Sequence, residues 1–199
     1  MRDMQLSSST YCDWSSFIRE VLEYWALKNS AAKIGGRNKV VEIDKAKFGR
    51  RKYHKGRIID GQWLFGGFER ESKTFFIEAV PNRTKETLLA IIKRKIRPNT
   101  TIMSDCWKAY DCLSDEGFKH LRVNHKHNFV DPDTGAYTQN IERTWRTARA
   151  HIPNYGRREK NMSGYIAELF FRSKIIDHRD RLHEFFITLR EFHDELISE

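Results

Sequence analysis

The stretch Thr101-Ile-Met-Ser-Asp-Cys-Trp-Lys-Ala-Tyr110 decides the reading of the fold. Its β-prone opening delivers Asp105 to the end of a strand, with the polar Ser104 just before it and the aromatics Trp107 and Tyr110 after it. One acid at a strand end means little, but two others give it weight. Asp44 ends the apolar run Val40-Val41-Glu42-Ile43, and Glu142 falls near the start of a helix-like stretch, Tyr137-Thr-Gln-Asn-Ile-Glu-Arg-Thr-Trp145. Two strand-end aspartates and a helix-borne glutamate form a cage of carboxylate oxygens, which suits hard cations such as Mg²⁺ and Mn²⁺.

Outward from that stretch, the chain reads as alternating strands and helices. Val40–Asp44, Gln62–Phe68, Lys73–Val80, Thr101–Ser104 and His120–Val123 are strands, broken by polar and Gly/Pro-containing segments. Thr84–Ile96 is amphipathic, with Leu88, Leu89, Ile91, Ile92 and Ile96 inward, and Asp111–Glu116 is a short helix. Tyr11–Asn29, Thr138–His151, Met162–Lys174 and Asp177–Ser198 read as further helices, the one from Thr138 capped by Thr138 or Asn140. The fold class is therefore α/β. A mixed five-stranded sheet is flanked by helices, with an N-terminal helix and a C-terminal helical appendage. The expected divisions are 1–36 (N-terminal helix and linker), 37–176 (the sheet domain) and 177–199 (an amphipathic helix). The last carries a stripe of Leu182, Phe185, Phe186, Leu189, Phe192 and Leu196 that must cover this chain's own core or meet a second copy in a homodimer.

Several blocks resemble, in order, the catalytic domain of Merlin-type DDE transposases, which bacterial insertion-sequence relatives of the ISXO2-like kind share. They are Val41-Glu-Ile-Asp-Lys-Ala-Lys-Phe-Gly49, Gly61-Gln-Trp-Leu-Phe-Gly-Gly67, Ser104-Asp-Cys-Trp-Lys-Ala-Tyr110, Val123-Asn-His125, Phe129-Val-Asp-Pro-Asp-Thr-Gly135 and Asn140-Ile-Glu-Arg-Thr-Trp145. The resemblance runs from about Ile34 to Ile175. It implies a ribonuclease-H-like fold, with Asp44, Asp105 and Glu142 as catalytic residues and as ligands of two Mg²⁺ or Mn²⁺ ions. It implies metal-dependent DNA strand cleavage and strand transfer by in-line phosphoryl transfer, with transposon terminal inverted repeats and target DNA as partners. Residues 1–36 then correspond to the end of a helix-turn-helix segment and a linker helix, the remnant of a DNA-binding region. The family usually has an acidic residue and then Ser or Thr after the first Asp, where this chain has Lys45 and Ala46. Strand alternation sends Lys45 to the opposite face from Asp44. That departure motivates a second reading, a truncated or catalytically inactive transposon-derived DNA-binding or interaction protein. A generic ribonuclease-H-like nuclease is a third.

Charge agrees with a polyanion partner. The chain carries a net +9, and Asp177–Glu199 is acidic, so the remainder is more basic still. Lys45–Arg57 holds seven Lys/Arg and no acid. Its Lys47, Arg50, Arg51, Lys52, Lys55 and Arg57 are the first candidates for phosphate contacts, joined by Arg146, Arg149, Arg157 and Arg158. His125, inside a matching block, is a candidate accessory group that positions a phosphate or water. Three cysteines without a Cys-x-x-Cys pair exclude a disulfide framework and a zinc site. No apolar run approaches the ~20 residues of a membrane span, and Met1-Arg-Asp-Met-Gln lacks the apolar core of a secretory signal. The expected home is the nucleus of a eukaryote or the cytoplasm of a bacterium.

Overall fold

The computed structural model describes residues 6–49, 61–123, 135–153 and 159–198. These fall into two compact units, Ala31–Tyr155 and a helical unit of Met1–Ser30 with Gly156–Glu199. By contacts, the helix from Met162 belongs with the helical unit, whereas the boundary drawn from sequence at 176/177 put it with the sheet.

The Ala31–Tyr155 unit contains five strands: β1 (Val40–Phe48), β2 (Gln62–Glu69), β3 (Phe75–Val80), β4 (Thr101–Asp105) and β5 (Lys119–Val123). They form one sheet in the order β3-β2-β1-β4-β5. β1 and β2, and β2 and β3, pair antiparallel, whereas β4 lies parallel to β1 and β5 parallel to β4. A three-strand meander followed by two parallel strands reached through crossovers is the ribonuclease-H-like arrangement, so that fold is the observed one. The mixed sheet expected from sequence is present, with one extension. β1 continues through Lys45–Phe48, which the sequence reading assigned to a basic loop. Antiparallel pairing of Lys47 with Trp63 and Phe48 with Gln62 holds these residues in the sheet.

Period-2 alternation sorts β1 between two layers. Val41 and Ile43 join Phe65, Ile102 and Tyr110 in a core under α2 (Lys85–Lys95), whose Leu88, Ile91 and Ile92 are buried there. α2 begins at Thr84, whose hydroxyl accepts from the Thr87 backbone N–H. The other face is covered by α3 (Gln139–His151), which buries Ile141, Trp145 and Ala148. Trp145 lies directly over Gly66. A Cβ there would sit 2.9 Å from the indole Cη2 and 3.0 Å from the Phe76 carbonyl oxygen. Glycine at 66 is thus what lets the indole come this close to the sheet.

In the helical unit, α1 (Ser8–Asn29), α4 (Met162–Lys174) and α5 (His178–Ser198) pack together. The Trp25 ring meets Phe170 and Phe171, and its Nε1 donates to Glu184 at 2.9 Å. Gly164 leaves room for the Arg19 side chain. The α5 stripe is only partly covered: Phe192 stacks on Tyr24, whereas Leu182, Phe186 and Leu196 are exposed. No described helix is long and apolar enough to cross a membrane.

Gly66→Ala is expected to force Trp145 off its seat and cost about 1–3 kcal/mol. Urea denaturation should show a lower midpoint with an unchanged slope.

Candidate active site

Glu42 pairs with Met103 across the parallel β1–β4 ladder. Asp44 and Asp105 each lie two residues further on, so Asp105, the last residue of β4, stands beside Asp44 in the middle of β1. Asp44 Oδ2 accepts from Trp145 Nε1 at 3.0 Å, which ties β1 to α3. Asp105 Oδ1 accepts from the backbone N–H of Trp107 at 3.3 Å. Burial is the main cause pushing the Asp44 carboxyl from its ordinary 3.8 up to about 6, and neighbouring Asp105 adds to it. Lys45, a backbone donor and Trp145 pull the other way.

Lys45 corrects an expectation. Its Cβ leaves β1 on the α2 face, as alternation requires, but its ammonium does not stay there. The stem passes the rings of Trp107 and Tyr110, with Nζ 5.2 and 5.5 Å from their centroids. The ammonium then pairs with Asp105 Oδ2 and lies 3.9 Å from Asp44 Oδ1. Its side chain is only 8% exposed. A four-carbon stem near the end of β4 is long enough to return to the acids that its backbone points away from.

Glu142 lies in the first turn of α3, exposed, with Thr138 Oγ1 donating to its Oε1 at 3.3 Å. It stands one turn before Trp145, the residue bonded to Asp44. Among the described residues, no three His, Cys, Asp or Glu side chains cluster closely enough to hold a metal as they stand. Asp44 and Asp105 are brought together around one cation. Glu142 is joined to them through the shared helix, but the three carboxylates do not form one ligand cluster. The donors nevertheless fit a divalent cation in kind: two carboxylates already share a positive charge, and the Lys45 ammonium stands in for one.

Of the cationic candidates, Lys47 is exposed on β1 with Nζ 5.6 Å from the Trp63 centroid. Arg146 and Arg149 are exposed on α3, the latter 5.3 Å from the centroid of Phe48. Arg50, Arg51, Lys52, Lys55, Arg57, His125, Arg157 and Arg158 lie outside the described residues.

The group that sequence reasoning missed is Glu42. It is fully buried, at 0% exposure, two residues before Asp44 on the same face. Oε2 accepts from the backbone N–H of Asn140 at 2.9 Å and of Ile141 at 3.1 Å. Oε1 accepts from Asn140 Nδ2 and from Arg70 Nε, both at 2.7 Å. Arg70 also donates to the Tyr137 carbonyl at 2.7 Å and stacks on that ring. The expected cap, Thr138, makes no side-chain capping bond. A carboxylate from β1 takes that place at the positive end of the helix. The signal was present: an acid inside an apolar run has to be paired if buried.

Residues 33–174 match the family model described as ISXO2-like transposase domain. A relative from Haemophilus influenzae, described as an uncharacterized transposase-like protein, is 31% identical over 94 residues, 47% of this chain and 75% of the relative. Among solved structures, the chain is similar to a simian T-cell lymphotropic virus intasome in complex with the PP2A regulatory subunit B56 gamma. That match has a TM-score of 0.45 and 17% identity over 72% of this chain, and it spans about half (51%) of the matched one. It is also similar to the catalytic core domain of BIV integrase, with a TM-score of 0.44 and 13% identity over 68% of this chain and 84% of that one.

Glu42→Ala is expected to cost about 3–5 kcal/mol, because Arg70 and the first N–H groups of α3 are left buried without their partner. Equilibrium denaturation followed by tryptophan emission measures it.

Proposed function

The chain belongs to the ISXO2-like transposase domain family, and we propose that it is a DDE transposase catalytic domain of the Merlin-type branch, cutting DNA strands and joining them to a target by in-line phosphoryl transfer. The observation that carries the reading is the meeting of Asp44 and Asp105 around a single cation, where β4 ends beside the middle of β1, with Trp145 linking Asp44 to the helix of Glu142. Asp44, Asp105 and Glu142 would hold two Mg²⁺ or Mn²⁺ ions, Asp44 shared between them. Bound there, the ions would supply Lewis-acid stabilisation of charge on the scissile phosphate and would activate the attacking oxygen of water or a DNA 3′-hydroxyl.

The chain's own residues have three tasks. Asp44, with its carboxyl raised to about 6, must give up its proton to serve as a ligand, so metal affinity falls as pH drops through that value. The Lys45 ammonium must leave Asp105, since a cation bound to a ligand oxygen competes with the ion. Trp145 must keep Asp44 in place while Lys45 moves. Lys47, Arg146 and Arg149, with the basic residues of 50–57 and of 157–158, hold DNA phosphates. Terminal repeats and target DNA are the partners, and a homodimer is one way to cover the exposed face of α5. The nucleus or the bacterial cytoplasm, where DNA is reached, is the expected location.

A second reading, a DNA-binding protein without catalysis, is favoured by Lys45 alone: its charge already satisfies the two acids. Calorimetry with Mn²⁺ separates the two readings, since DNA binding without any metal binding would leave only the second.

Asp105→Ala is expected to reduce Mn²⁺-dependent nicking and strand transfer on repeat-bearing DNA to background. Activity persisting in that variant would remove Asp105 from the site. Lys45→Met is expected to tighten Mn²⁺ binding in the same calorimetric titration, because the resident cation is gone; weaker binding would show that Lys45 supports the site rather than competing for it.

A further inference from the structure

The end of the sheet toward which β1 runs on past Asp44 gathers three chain segments. β2 starts there, β3 ends there and the chain leaves β4 there. Trp63 pairs with Lys47 of β1 and with Val80 of β3, and Arg83 follows three residues after Val80. Trp107 comes two residues after Asp105, whose carboxylate accepts its backbone N–H.

Arg83 is an exposed residue, yet its guanidinium is not adrift. Its central carbon lies 4.7 Å from the Trp63 centroid and 4.4 Å from that of Trp107. Contact with a ring uses the face of the guanidinium and leaves the N–H groups on its edge available. Neighbouring cations are committed to acids: Arg94 and Lys95 to Glu78, and Lys93 to Glu116. Among the described residues, no carboxylate lies within ion-pair distance of Arg83. The side chain is therefore ordered without being neutralised. An arginine in that state has already lost much of its rotamer freedom, so an anion that binds it has less to offset. The planar fork fits a phosphate in a bidentate manner.

We propose that Arg83, held by Trp63 and Trp107, is a preset phosphate-binding group for the DNA strand that passes the catalytic end of the sheet. The proposal rests on the transposase reading and deepens it, by placing one backbone phosphate at the α2 side of Asp105. The bland role for the same residue is to cover two tryptophan rings from water. Methionine would do that equally well, and this difference makes the test.

The experiment is fluorescence anisotropy of a labelled 20-base-pair duplex, titrated with the full chain in EDTA at several salt concentrations. Three variants are compared with wild type: Arg83→Met, Arg83→Lys and, as a control for bulk charge, Lys33→Met in the segment leading to β1. Thermal melts confirm that each is folded. Arg83→Met should bind several-fold more weakly, and the slope of log affinity against log salt should drop by about 0.9, the value for one lost phosphate contact. Arg83→Lys should recover the slope but not the whole affinity, since charge returns without the fork. Lys33→Met should change neither. Arg83→Met with wild-type affinity and slope, or with a change no larger than that of Lys33→Met, overturns the proposal while leaving the transposase reading intact. No binding of duplex by the wild-type chain overturns both.

Discussion

A charge buried in a protein core has to be compensated where it stands, and Glu42 imposes that requirement on the whole site. Its partners come from Arg70 after β2 and from the first N–H groups of α3. The apolar contacts of Ile141, Trp145 and Ala148 would tolerate a small slide of α3 along the sheet. The carboxylate would not, because a shift of even one residue orphans a charge and two helix N–H groups. Asp44 lies two residues beyond Glu42 on β1, and Glu142 two residues beyond Asn140 on α3. The register of the brace is thereby the register of two of the three candidate acids. Gly66 completes the constraint, since only a bare backbone lets Trp145 come close enough to reach Asp44.

Much of the sheet was legible in the sequence because its strands differ sharply from their surroundings. Alternation and Gly/Pro punctuation located β2 to β5 to within a few residues, and the apolar spacing of α2 was equally plain. The C-terminal half of β1 was not legible. Lys45–Phe48 read as part of a basic loop, and only pairing with β2, a non-local fact, makes them a strand. The cap of α3 failed to show for the same reason. Local patterns offered Thr138 and Asn140, whereas the acceptor that binds the helix N-terminus comes from a strand far away in the chain. The contact of Arg83 with two tryptophans joins β2, β3 and β4 through residues that share no local pattern.

Lys45 shows where alternation stops being informative. Parity states which side of the sheet a Cβ leaves, and for Lys45 it gave the α2 side. It says nothing about where the end of a long side chain comes to rest. Lys45 stands one residue past the level of Asp105, the last residue of β4. There is no further residue of that strand to block the stem, and the ammonium can return to the acids around the end of it. The tryptophan and tyrosine that follow Asp105 make that route favourable, since both rings attract a cation.

The consequence is electrostatic. Two carboxylates side by side on adjacent strands would repel each other and would also repel the phosphates of an approaching DNA strand. Lys45 answers both repulsions at once. With its ammonium in place, the acids present little net negative charge, and the raised carboxyl of Asp44 lowers it further below about pH 6. Cations on neighbouring elements, Lys47 on β1, Arg83 beyond β3 and Arg149 on α3, would then meet a polyanion without strong opposition from the two acids. A divalent ion could take over the same balance only by displacing Lys45. The chain can thus keep its acids close together through Lys45 alone, and the residue that makes this tolerable is the one by which it departs from the family's pattern.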